Sequence, residues 1–192
     1  MNDHHVKIND DNSTPFEDII DAVENDLEEN MIGAQTSVKI KLGEIQEKIS
    51  KTKGKLAELN EVDVYYKSLE RTLSKHERQS QSLIVVLQKL NLMRKAYNDY
   101  LHVRDLPSYT TPDVDFSDIT PILTDTTLAI AGMLPTYPEY DNLPQLFEFL
   151  KKKFMILLCE TMKRRQNTRT EKEQSLLIDL LFYTKEIKEF LF

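Results

Sequence analysis

The chain has no tryptophan, one cysteine and four glycines in 192 residues, and between Pro15 and Pro107 it has no proline. Each shortage excludes something. The lone Cys159 rules out a disulfide framework and sits in the apolar run 154–159, so a buried reduced thiol and an intracellular setting, nucleus or cytoplasm, are expected. No stretch approaches the roughly twenty apolar residues that a bilayer crossing requires. The opening Met1-Asn2-Asp3-His4-His5 has no apolar signal region, so no transmembrane segment is expected.

Catalytic signatures are missing as well. There is no glycine-rich phosphate loop, no Gly-x-Ser-x-Gly elbow, no Cys-x-x-Cys pair and no His-Glu-x-x-His. The four histidines, His4, His5, His76 and His102, have no shared ligand spacing. The sequence therefore predicts no catalytic residue, no cofactor and no metal site, and a protein that is not an enzyme.

What is present is helical. With 30% charged and 40% apolar residues and so few glycines, the composition points to an all-α fold. In the proline-free stretch, apolar side chains recur at alternating steps of four and three. The stripe runs from Val38 through Leu42, Ile45, Ile49, Thr52, Leu56, Leu59, Val62, Tyr66, Leu69, Leu73, His76, Ser80, Leu83, Leu87, Leu90, Arg94 and Tyr97 to Leu101. Such a stripe is a coiled-coil signature, and a helix patterned this way must find a partner helix. At about 1.5 Å per residue an unbroken rod over the stripe would be roughly 95 Å long.

Two consecutive steps of three, at Leu56, Leu59 and Val62, read as a stammer. Gly43, Gly54 and the polar seam residues weaken the rod, most of all over Ser50 to Lys55. A turn there would instead make an antiparallel hairpin of a short first helix and a long second one. The seam residues expected to meet other coiled-coil subunits are Leu56, Leu59, Leu69, Leu73, Leu83, Leu87 and Leu90.

Charge is unevenly distributed. Residues 1–30 hold ten acids and one lysine, whereas 31–105 hold fourteen bases and nine acids. After Ser13 or Thr14 as cap and Pro15 as first helical residue, Phe16, Ile19, Ile20, Val23 and Leu27 make an acidic amphipathic helix that would insert into a groove or join a bundle. Phe16, Ile20 and Val23 are its expected contact residues. Its mate is either another protein or the chain's own segment Lys39, Lys41, Lys48, Lys51, Lys53 and Lys55. That segment lacks the arginines and interleaved aromatics of a nucleic-acid patch, so direct DNA or RNA binding is not expected.

Beyond the rod, six of the seven prolines fall between Leu106 and Pro144, marking a joint that holds a short helix opened by Thr120-Pro121. Thr14, Thr111 and Thr120 each precede a proline and are candidate phosphorylation sites. Pro144 then opens one helix, with Leu146, Phe147, Leu150, Phe154, Leu157, Leu158 and Met162 on its apolar face. A capping box of Thr170 with Glu173 opens another, and together they predict a helical hairpin. Phe190, Leu191 and Phe192 at its end are expected to dock rather than fray, with Phe190 and Phe192 as contact residues.

The expected organisation is a disordered acidic tail over 1–14, an amphipathic helix over 15–32, a coiled-coil rod over 36–105, a proline-rich joint over 106–143 and a helical hairpin over 144–192. In general style this layout resembles the small subunits of kinetochore and vesicle-tethering assemblies, a likeness of architecture without a specific motif. The functional expectation is a non-catalytic scaffold subunit of a hetero-oligomeric complex, leaning towards chromosome segregation. The alternatives are a tethering or trafficking subunit and a nucleic-acid-associated factor that uses the lysine-rich segment.

Overall fold

Apolar periodicity near 3.6 with few helix breakers builds helices. The computed structural model of the chain describes residues 15–105, 119–134, 142–164 and 166–191, with side chains from residue 19 onward. These residues form five helices and no strand, so the all-α class expected from the sequence is the class observed. The helices are α1 Pro15–Ala57, α2 Val64–Asp105, α3 Thr120–Gly132, α4 Leu143–Lys163 and α5 Thr168–Leu191.

Two departures from the sequence reading set the architecture. The acidic helix expected over 15–32 and the start of the rod at 36 are one continuous element, α1. Gly33 does not interrupt it because Asn30, Met31, Ala34 and Val38 around it are buried against the rest of the chain. Tertiary packing of that face outweighs a glycine cost of about 1 kcal/mol.

The second departure is larger: the rod expected to run unbroken over 36–105 stops at Ala57 and restarts at Val64. The reversal does not use Ser50 to Lys55, where α1 passes straight through Gly54. It lies at 58–63, where the Asp63 amide donates to the Asn60 carbonyl at 2.9 Å. Asp63 Oδ1 in turn accepts from the Tyr65 amide at 2.9 Å and caps α2. The stripe irregularity at Leu56, Leu59 and Val62 is this turn rather than a stammer.

α1 and α2 therefore run antiparallel, and three contacts trace the pairing. Arg104 pairs with Glu24, Gln35 Nε2 donates to Asn91 Oδ1 at 2.7 Å, and Lys53 Nζ lies 3.1 Å from Glu77 Oε1. The number on α2 falls as that on α1 rises. The stripe finds its mate inside the chain, because α1 and α2 carry the same periodicity and the turn brings the two halves face to face.

α4 and α5 complete a four-helix body. α5 packs on α2, α4 packs on α1, and α4 and α5 pack on each other, giving a square in which every neighbour is antiparallel. Ion pairs mark three sides: Lys89 to Glu186 at 2.8 Å, Lys188 to Glu148 at 2.6 Å and Lys153 to Asp26 at 4.0 Å. Leu27, Met31, Leu90, Met93, Tyr97, Phe147, Leu150, Phe154, Leu157, Leu180 and Ile187 fill the interior. α3 lies outside the square against α4, which is why Phe149 and Ile156, off the expected apolar face of α4, are also buried.

The turn between α4 and α5 differs from the expected capping box by three residues. Asn167 Oδ1 accepts from the amides of Arg169 and Thr170 at 3.0 Å each. Thr170 Oγ1 returns the bond by accepting from the Asn167 amide at 2.8 Å. Asn167 is thus the cap, Thr170 its reciprocal partner, and Glu173 is released to the interior.

Candidate docking surface

α4 and α5 cover only part of the long helices. With 21 residues in α4 against 43 in α1, residues 46–57 and 64–80 extend past the body as a two-helix arm. At 1.5 Å per residue the arm is about 25 Å long. One helix can cover only one side of another, so most of the arm's seam is half-buried: Ile49, Leu56, Leu59, Tyr66, Leu73, His76 and Ser80. Leu69 and Thr52 are its best covered members, and the Thr52 hydroxyl donates to the Lys48 carbonyl at 2.8 Å.

The arm ends in an apolar knuckle. Val62 is 95% exposed, Val64 88% and Tyr65 57%. Asn60 and Asp63 determine this placement, because their turn bonds turn the backbone sharply and leave the intervening side chains nothing to pack on. Three apolar groups on one projecting turn are poorly suited to water and well suited to a second protein surface.

At the arm's base, where the body begins, lies a cleft of about 850 Å³. Four helices contribute to it: α1 through Lys41, Glu44, Ile45 and Lys48, α2 through Lys75, Arg78, Gln79, Ser82 and Leu83, and the meeting ends of α4 and α5 through Leu143, Pro144, Phe190 and Leu191.

The opposite end of the body is held by charged groups that are partly buried and, at Glu173, fully buried. Glu24 receives Arg104 and the Tyr100 hydroxyl, the latter at 3.3 Å, while Tyr97 donates to the Glu24 carbonyl at 3.1 Å. Burial, with Glu24 adding to it, raises the pKa of both tyrosines. Burial alone would lower that of Arg104, but Glu24 more than offsets it and the guanidinium is held charged. Glu173, fully buried, has Arg164 Nη2 3.0 Å from Oε2, an ion pair without hydrogen-bond alignment. Burial raises its pKa against the opposing pull of Arg164 and Arg169. Midway, Lys153 is buried with its ammonium 4.6 Å from the Phe149 ring, and burial lowers its pKa.

The residues expected to bind partners separate into groups. Val23, Leu83 and Leu90 are in the chain's own core, and Ile20 and Leu87 pack half-buried against it. These five are engaged within the chain, because the acidic helix and the stripe are neighbours in one bundle. Leu56, Leu59 and Leu73 stay half-exposed on the arm, and Leu69 lies within its seam. Phe190 is 47% exposed on the cleft. Thr120 is half-buried at the first residue of α3. Phe16, Phe192, Thr14 and Thr111, with the 1–14 tail, lie outside the described side chains.

Sequence reasoning missed the knuckle and the cleft. Asn60 and Asp63, three positions apart with Leu59, Val62 and Val64 beside them, were the available signal for the first. The cleft draws on residues from four helices far apart in the chain and left none.

Among the described residues no group of three or more histidine, cysteine, aspartate or glutamate side chains is placed to hold a metal ion. No described helix is long and apolar enough to cross a membrane. No protein-family model, curated protein or solved structure matches this chain.

Proposed function

We propose that the chain is a non-catalytic scaffold subunit of a hetero-oligomeric complex, with the four-helix body as platform and the arm as its contact module. The observation that carries this reading is the arm itself. A seam left half-buried along both helices and a knuckle exposing Val62, Val64 and Tyr65 are apolar surface that folding of the body does not require. One or two helices from other subunits, laid along the arm, would cover the flanks of Ile49, Leu56, Leu59 and Leu73 and turn the pair into a coiled coil of three or four strands.

Within this class we favour a kinetochore-type assembly over a vesicle-tethering one, because of the projecting arm with separate contact regions and the three Thr-Pro dipeptides. The lysine-rich segment lends less to a nucleic-acid role, since Lys51 pairs with Glu47 and Lys53 with Glu77. The test is affinity purification of the full chain from its own cells beside the variant Val62→Ser/Val64→Ser/Tyr65→Ser. A defined set of stoichiometric chains that the variant loses is expected, and their identities decide between the two kinds of assembly. Absence of any stoichiometric partner of the parent chain would overturn the scaffold reading.

A further inference from the structure

The cleft at the arm's base has a sided chemistry. Among the described residues its rim carries four bases, Lys41 and Lys48 from α1 and Lys75 and Arg78 from α2, against one acid, Glu44. Among the described residues no carboxylate pairs with Lys48, Lys75 or Arg78 within 4.0 Å; Arg78 only donates from Nε to the Ser74 carbonyl at 3.3 Å. The floor is apolar, formed by Ile45, Leu83, Leu143 and Leu191, with Phe190 at its edge. The exposed Lys48, Lys75 and Arg78 around an apolar trough complement a ligand with an apolar stripe flanked by acids.

We infer that this cleft is a docking site for an acidic amphipathic helix of a partner protein. Size sets the length of the docked segment. A helix about 10 Å across with a 1.5 Å rise fills 850 Å³ with roughly seven residues, or two turns. Lys48 stands on the α1 side of the cleft and Lys75 and Arg78 on its α2 side. They match acids on both flanks of the ligand's apolar stripe, with its apolar residues over Ile45 and Leu191. The described surface offers no strand edge for an extended peptide to join. Nucleic acid is disfavoured by the apolar floor and by Glu44 on the rim, since phosphate binding draws on charge and not on aliphatic surface. The chain's own acidic segment is not the occupant, because Val23 and Leu27 of its stripe lie in the core at the other end of the body.

The site rests on the docking-subunit reading, but it is distinct from the knuckle, and the two can fail separately. The experiment is selection of random fourteen-residue peptides displayed on phage against the full chain. Fluorescence anisotropy of the recovered peptides follows on three proteins: the parent, Lys48→Glu/Lys75→Glu, and the charge-matched control Lys95→Glu/Lys172→Glu, whose lysines are exposed outside the cleft. Recovered peptides should be acidic with apolar residues at helical spacing. They should bind the cleft variant at least tenfold more weakly and the control within twofold of the parent. Failure to recover peptides, recovery without acidic bias, or equal binding by the cleft variant would overturn the site. So would a cleft-dependent self-association in sedimentation, or a cleft-dependent affinity for duplex DNA exceeding that for the peptides. If the knuckle variant loses its cellular partners while the cleft variant behaves as the parent towards every peptide, the scaffold reading stands and this site falls.

Discussion

Replacing one leucine in the arm and one in the body should produce different kinds of damage. Leu90 is fully buried at the centre of the four-helix body, where neighbours on several helices prevent collapse. Leu90→Ala should therefore cost the transfer term plus a cavity, about 3 to 4 kcal/mol. At roughly 2 to 4 °C per kcal/mol for a chain of this size, Tm falls by about 10 °C. Leu69 is 9% exposed in a seam of two helices, where the pair can close over the gap. Leu69→Ala should cost about 2 kcal/mol, the loss of three carbons less some relaxation. That cost should appear only where Leu69 is needed. Native-state hydrogen exchange should show amides in 46–57 and 64–80 exchanging about thirtyfold faster, while those in 83–103 and 143–163 keep their protection. Equal acceleration in arm and body would refute the division of the molecule into platform and arm. No acceleration anywhere would refute the placement of Leu69 in the seam.

Other substitutions test local features. Gly54 lies in the last turn of α1 with nothing within 4 Å of a Cβ, so Gly54→Ala should stabilise the arm by about 0.5 kcal/mol, read as slower amide exchange in 46–57. Lys153→Met exchanges a buried ammonium, whose nearest carboxylate is 4.0 Å away on Asp26, for an apolar chain of similar length; thermal melting should rise by about 2 to 4 °C for a gain near 1 kcal/mol. For Glu173, burial first, against Arg164 and Arg169, raises the folded pKa above its unfolded value. The folded state then holds the proton more tightly, so this residue's contribution is fullest below the unfolded value near 4.3 and is lost as pH rises through the folded one. Glu173→Gln removes that descent, and its melting temperature relative to the parent should climb from pH 4 to pH 7. A relative fall over that range would show the arginines dominating burial.

Local rules made the helices legible in the sequence. Pro121 and Pro144 lie in the first turn of α3 and α4, and the apolar face of α4 is largely the one read from its spacing. Leu69, Leu83 and Leu90 of the stripe are buried as its spacing implies, but Val62 is exposed at the turn, and Val86, Met93 and Tyr100, off the stripe, are buried as well because α2 meets more than one helix. Its partner was not legible. A heptad seam specifies that some helix must cover it, but an external helix and the chain's other half offer the same chemistry. The decision rested on Asn60 and Asp63, whose short turn bonds stop α1 while Gly54 does not. The buried Glu173 and Lys153 were equally hidden, since a charged residue in a helix reads as solvated until packing encloses it.

The arm exists only if α1 and α2 fold back on each other, and one distance decides it. Lys53→Cys/Glu77→Cys, with Cys159 replaced by serine, would carry spin labels at two positions that face each other across the arm, now 3.1 Å apart as an ion pair. Pulsed dipolar spectroscopy on the full chain, diluted with unlabelled protein to suppress signals between molecules, should give a separation set by two packed helices, about 10 Å between axes plus the label arms. An unbroken rod would hold the same two sites 24 residues apart, at about 36 Å along one helix. The short distance supports the arm and everything built on it, whereas the long one contradicts it.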